Sequence, residues 1–144
     1  MGCLELPGFG QFDLDPELDL RQHRVQAGVA GGGFEVGGAG SLEVAPGDRL
    51  VTTPGFPVAY KAEAEKGAAF LDLLRAEREL NWTFLSPSAL FVAGERTGKF
   101  RLGTDQLLTA SDGKSWISFE DFAVALADEI ERPAHIRSRF TVGY

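Results

Sequence analysis

The feature that most constrains this chain is the order in which its hydrophobic periodicities change. From Phe34 onward the sequence reads strand, helix, strand, loop, helix, strand. Phe34-Glu35-Val36 is a short strand that runs into Gly37-Gly38-Ala39-Gly40-Ser41, a tight turn where the backbone can approach a neighbour closely. Residues 58–80 form a helix with Ala62, Ala69, Leu73 and Ala76 on its apolar face, widened by Phe70, Leu71 and Leu74. Glu63, Glu65, Lys66, Asp72, Arg75, Glu77 and Arg78 cover its solvent side, and Asn81 ends it. Trp82-Thr83-Phe84-Leu85 is a buried strand stopped by Ser86-Pro87. A second helix starts at Ser118, with Ser at the cap and Asp121 three residues on. Its stripe is Phe119, Phe122, Ala123, Leu126 and Ile130, Pro133 stops it, and Phe140-Thr141-Val142 is a last strand. A helix followed closely by a buried strand is the second part of a βαβ unit. The order therefore predicts an α/β fold in three layers, helix over sheet over helix. It is the carboxyl-terminal part of a mostly parallel sheet whose first strands are not in evidence.

Shorter signals fill the gaps. Leu42-Glu43-Val44 and Leu50-Val51 read as extended pieces around a turn at Ala45-Pro46-Gly47. Residues 95–98 are a polar loop, Phe100-Arg101-Leu102 and Gln106-Leu107-Leu108 short strands, and Ser111-Asp112-Gly113-Lys114 a turn. Residues 1–33 differ from the rest: an acidic run and seven glycines leave little periodicity, and the three consecutive glycines at 31–33 argue against a strand starting before Phe34. The chain thus divides into a poorly specified segment, 1–33, and the α/β part, 34–144. At 144 residues and 44% hydrophobic it can bury one core. A net charge of −7 argues against nucleic acid or an anionic membrane as partner. Cys3 is the sole cysteine, so a reducing, cytoplasmic setting is expected. No stretch reaches the ~18 apolar residues of a membrane span, and the first residues show no basic-then-apolar signal pattern.

Open α/β folds that bind dinucleotides hold the pyrophosphate on a glycine-rich turn with glycines at i, i+2 and i+5. Gly38 and Gly40 would need a third glycine where Glu43 stands; Gly31 and Gly33 meet Val36, and Gly8 and Gly10 meet Asp13. The glycines at 37, 38 and 40 mark either a plain turn or a close approach to a ligand. His23, His135 and Cys3 have no metal-ligand spacing, so no metal is expected and both histidines read as surface residues. Ser41 has no glycines two positions away, as a nucleophile elbow would require. Tyr60 would need a lysine four positions on to act as a dehydrogenase acid, and that position holds Ala64. Ser86-Pro87-Ser88 stands at the carboxyl end of a buried strand, where open sheets bind ligands. No catalytic residue can be named.

Several stretches together carry a resemblance: Val36-Gly37-Gly38-Ala39-Gly40-Ser41-Leu42, Trp82-Thr83-Phe84-Leu85-Ser86-Pro87-Ser88-Ala89, Gly94-Glu95-Arg96-Thr97-Gly98, and Ile117-Ser118-Phe119-Glu120-Asp121-Phe122-Ala123 continuing to Arg139-Phe140-Thr141-Val142. In order and spacing, residues 34–144 resemble the NmrA-like, NAD(P)H-binding group of atypical short-chain dehydrogenases, in particular the NADH-flavin reductase-like members. The resemblance implies a Rossmann-like fold and a nicotinamide dinucleotide, NADPH or NADH, as cofactor and partner. It implies that Gly37, Gly38 and Ser41 lie near the nicotinamide ribose and that Ser86, Pro87 and Ser88 line the nicotinamide side. Members of the group generally lack the Tyr-x-x-x-Lys pair, in line with Ala64. Hydride would pass to a flavin or similar acceptor between stacked rings, the protein supplying orientation.

Residues 1–33 do not match the family's amino half, which carries its first strand and glycine turn. The expectation is therefore a flavin-reductase-like protein with an incomplete dinucleotide site, weakly binding or inactive. The alternatives are a non-catalytic interaction module, forming a homodimer through an exposed sheet edge, and a truncated remnant.

Overall fold

The computed structural model describes residues 32–144. The readings for Cys3, His23 and the acidic run before residue 20 lie outside the described residues. The described elements are β1 (Gly32–Val36), β2 (Glu43–Ala45), β3 (Asp48–Arg49), a 3₁₀ turn (Leu50–Thr52), α1 (Val58–Ala76), β4 (Asn81–Pro87), β5 (Leu90–Val92), β6 (Arg101–Gly103), β7 (Trp116–Ser118), α2 (Phe119–Glu131) and β8 (Ser138–Gly143).

The central sheet has the order β1-β4-β8-β6. β1, β4 and β8 are parallel, with Val36 opposite Leu85 and Leu85 opposite Phe140, while β6 runs antiparallel beside β8. β2 and β3 form a small antiparallel pair, and β5 and β7 a small parallel one. β4 explains the layering. Its side chains alternate across the sheet: Trp82 and Phe84 pack with Leu71 and Leu74 of α1, while Leu85 joins Phe140, Val142, Ile117, Phe122 and Ala125 on the α2 side. A strand covered on both faces reads as one apolar run, and positions 82–88 are all buried. The architecture is thus α/β, mostly parallel, with one helix on each face.

Several local readings are corrected. β1 begins at Gly32, two residues before the expected start, because it pairs in register with Asn81 and Trp82 of β4. The first helix ends at Ala76; beyond it the Glu77 carboxylate accepts from the Arg78 and Glu79 backbone N–H groups (2.7 Å each) and turns the chain into β4. Leu50-Val51 is part of a 3₁₀ turn. Gln106-Leu107-Leu108 is no strand but a segment bridged to Glu43, whose carbonyl accepts from Leu107 N at 2.9 Å.

Both helix faces are rotated from those expected. α1 buries Ala68, Leu71 and Leu74, while Leu73 is 38% exposed. α2 buries Asp121, Phe122, Ala125 and Glu129, while Phe119 and Ile130 are 38% and 43% exposed. The cap at Ser118 forms as expected, its hydroxyl accepting from Asp121 N at 3.1 Å. His135 is no simple surface residue: its ring stacks on Phe140 at 4.1 Å and its Nδ1 lies 2.8 Å from the buried Glu129 carboxylate.

Candidate site at the carboxyl end of the sheet

Because β1, β4 and β8 are parallel, the chain leaves all three at the same end. That end carries both segments singled out in the sequence. Gly37 follows β1 directly, and its N–H donates to the Leu85 carbonyl at 2.9 Å, extending the pairing one residue past the strand. It must be glycine: a Cβ there would lie 2.1 Å from Cζ of the buried Phe84 ring. Gly38 is exposed, and an added Cβ would meet nothing within 4 Å, so its backbone is open to approach. At Gly40 a Cβ would come 2.8 Å from that of Ala64, so the turn lies directly against α1. Ala64 is where a Tyr-x-x-x-Lys pair would place its lysine; Tyr60 is 58% exposed at the start of α1.

Ser41, Ser86, Pro87 and Ser88 are buried. Their hydroxyls are engaged inside the protein. Ser88 Oγ donates to the Val142 carbonyl at 2.8 Å. Ser41 and Ser86 accept from one side chain, Arg139 of β8, at 3.1 and 3.3 Å. The same guanidinium reaches the Ser41 carbonyl at 3.3 Å and the Asp105 carboxylate at 2.8 and 2.9 Å. Asp105 also accepts from Arg75 of α1 at 2.6 Å. Arg139 therefore ties the turn after β1, the end of β4 and the loop after β6 to one point. Its side chain is 1% exposed. Burial pulls its pKa below the ordinary arginine value, against the opposing pull of Asp105. Sequence reasoning missed Arg139 and Asp105; the only signal was a cation immediately before the apolar strand residues 140–142.

A second polar knot stands beside the end of β8. The Asp121 carboxylate, fully buried, accepts from the backbone N–H groups of Thr97 and Gly98 at 2.9 and 2.8 Å. Its other oxygen accepts from the hydroxyls of Thr97 and Tyr144, the latter at 2.6 Å. Burial acts to raise the Asp121 pKa, but these donors outweigh it and hold the carboxyl below its ordinary value. The loop so pinned turns at Gly98, whose φ of +67° lies in the left-handed region. With Trp116 and Tyr144 it borders an open cleft of about 470 Å³, lined also by Gly94, Glu95, Thr97 and Lys99.

The fold and this layout define a partial Rossmann-like α/β domain. Comparison with known proteins narrows the class. Over 110 residues, 74% of its length, the chain is 46% identical to the uncharacterized protein YwnB of Bacillus subtilis, of which it covers 52%. A crystal structure from Streptococcus pneumoniae named "putative NADH-flavin reductase" superposes with a TM-score of 0.71 at 43% identity, covering 77% of this chain and 55% of that one. The "putative epimerase" of Bacteroides thetaiotaomicron gives 0.75 at 43% identity, covering 78% and 53%. No family model matches the chain. Over about three quarters of its length the chain is similar to these proteins, in line with the resemblance its sequence motifs carry. It spans about half the length of the relatives it matches.

Proposed function

We propose that this chain supplies the nicotinamide-facing part of an NAD(P)H-binding, flavin-reductase-like oxidoreductase site. One observation carries the reading. Residues 37–41 and 86–88 emerge side by side at the carboxyl end of parallel strands and are cross-tied by Arg139. That end is where open α/β sheets bind their ligands. Gly37, Gly38 and Ser41 would face the nicotinamide ribose, and Ser86, Pro87 and Ser88 the nicotinamide side. Because the hydroxyls of Ser41, Ser86 and Ser88 are already engaged, contact would come from backbone groups, most directly at the open Gly38. A bound nicotinamide would supply the hydride; the chain's own residues would orient the ring, and Ala64 stands where the dehydrogenase lysine would be.

The pyrophosphate end is different. No glycine triplet of the required spacing is present in the sequence, so affinity is expected to be weak and to come from the nicotinamide end alone. Amide-resolved NMR titration with NADPH tests the reading. Shifts concentrated at residues 37–41, 86 and 88 are expected; shifts elsewhere, or none at millimolar ligand, would refute it.

A further inference from the structure

Residues 89–93 form an apolar edge of which the nicotinamide reading makes no use. β5 pairs with β7 on one side, and no described strand pairs with its other side. The backbone of Leu90 turns toward β7, its N–H donating to the Ser115 carbonyl at 2.9 Å. Successive strand residues point their hydrogen-bonding groups to opposite sides, so the N–H and C=O of Phe91 face outward. Natural edge strands are blunted by lysine, proline or a bulge. Ala89-Leu90-Phe91-Val92-Ala93 carries none of these, and all five residues are exposed, Leu90 by 52% and Phe91 and Val92 by 38% each. The edge is held from behind: the Phe91 ring packs on Phe119 and Phe122 of α2, with centroids 4.5 and 4.7 Å apart. Phe119, partly exposed, continues the patch. An uncharged, rigid, strand-forming edge of this kind marks an association surface.

We propose that two copies of this chain pair through β5, the two strands antiparallel about a two-fold axis at Phe91. The edge is complementary to itself in this arrangement. The two Phe91 residues exchange both outward backbone hydrogen bonds. Leu90 of one copy faces Val92 of the other, and Ala89 faces Ala93, so large side chains meet large ones and small meet small. The charges at the two ends agree. Lys114 stands at the start of the strand, one residue before Ser115, which holds Ala89 N through its hydroxyl and Leu90 N through its carbonyl. Its ion pair with Asp112 is long, 3.9 Å, and exposed. Glu120 stands at the far end, its carboxylate accepting from Gly94 N at 2.9 Å. Antiparallel pairing brings the Lys114 end of each copy to the Glu120 end of the other. The apolar surface left exposed by residues 89–93 and Phe119 is on the order of 400 Å² per copy, so the pair buries about 800 Å², below the ~1,200 Å² of a standard stable interface. The dimer is therefore weak and exchanges with monomer. The pairing does not rest on the nicotinamide reading, although Ser88 leads directly into the paired strand.

Sedimentation equilibrium of the whole chain across a concentration series, with and without charges at the exposed positions 90 and 92, tests the pairing. A reversible monomer–dimer equilibrium is expected, with a dissociation constant on the order of 100 μM. Amide exchange at Phe91 and Ala93 should slow as concentration rises. The double variant Leu90→Lys with Val92→Lys places like charges opposite each other across the axis and should weaken the dimer by at least about tenfold. Leu90→Lys with Val92→Glu places opposite charges there and should dimerise within about threefold of the wild type. This second variant also controls for folding, since it replaces the same two side chains. A chain that stays monomeric at about 1 mM would overturn the proposal. So would a dimer indifferent to the paired lysines, which would be assembled through another surface such as the β1 edge. Equal weakening by both double variants would overturn the antiparallel register.

Discussion

Asp121 offers a quantitative test of how the loop over the cleft is held. The carboxylate accepts four hydrogen bonds: Thr97 N and Gly98 N on one oxygen, the Thr97 and Tyr144 hydroxyls on the other. Asp121→Asn keeps the shape and removes the charge. If the amide oxygen faces the two N–H groups, its NH₂ faces two hydroxyls, both of which can rotate to accept. The loss is then one of charge assistance. A hydrogen bond to a charged group contributes about 1.5–3 kcal/mol and a neutral one about 0.5–1.5, so the two amide bonds together lose about 2–3 kcal/mol. Asp121→Ala removes every acceptor and leaves these donors facing an apolar methyl, which raises the cost to about 4 kcal/mol, a large fraction of a typical domain's stability. Urea unfolding should show the midpoint falling in the order wild type, Asn, Ala with unchanged slope. Amide exchange at Thr97 and Gly98 should accelerate in both variants. A loss below about 1 kcal/mol for Asn, or equal losses for both substitutions, would refute the view that the buried charge organises this loop.

The same carboxylate sets a pH dependence. Its folded pKa lies below the ordinary carboxylate value, so its contribution is fully present above that value and is lost as pH falls through the folded one. Acid melts should therefore show the wild type losing its advantage over Asp121→Asn as the pH drops. Gly37→Ala drives a methyl into the Phe84 ring and should cost about 1–3 kcal/mol; combining it with Phe84→Leu should recover part of that loss in thermal melts. Arg139→Met removes the tie between Ser41, Ser86 and Asp105 and should cost about 2–3 kcal/mol. Arg49→Ala breaks a bidentate pair with Asp72 that is largely exposed and should cost under about 1 kcal/mol. Chemical melts that reverse that order would show that the buried arginine does not hold the three segments together.

The layering was legible where burial is two-sided. β4 declares itself because Trp82, Phe84 and Leu85 must be apolar whichever face they meet. The helix faces were not legible, for a definite reason. α2 turns Asp121 and Glu129 inward because their partners are supplied from elsewhere: Thr97, Gly98 and Tyr144 for one, the backbone of Ala134 and His135 for the other. A hydrophobic count cannot see such partners, and it chose Phe119 and Ile130 instead. α1 misled through its small residues. Gly40 fits closely against Ala64, so the helix faces the turn through side chains that carry little hydrophobic signal. At the candidate site the two segments could be placed at the same sheet end from strand order alone. Arg139, which joins them, could not, since its role depends on Ser41 and Ser86, 98 and 53 residues away.

The central proposal is that this chain holds the nicotinamide end of a dinucleotide, with no glycine triplet of the pyrophosphate-binding spacing in its sequence. Comparing the affinities of NADPH and reduced nicotinamide mononucleotide, by the amide shifts of residues 37–41, 86 and 88, tests it most directly. The two ligands should bind alike, within about threefold, with dissociation constants on the order of 1 mM, about 4 kcal/mol of binding free energy. Micromolar binding of NADPH, tens of times tighter than the mononucleotide, would contradict the account.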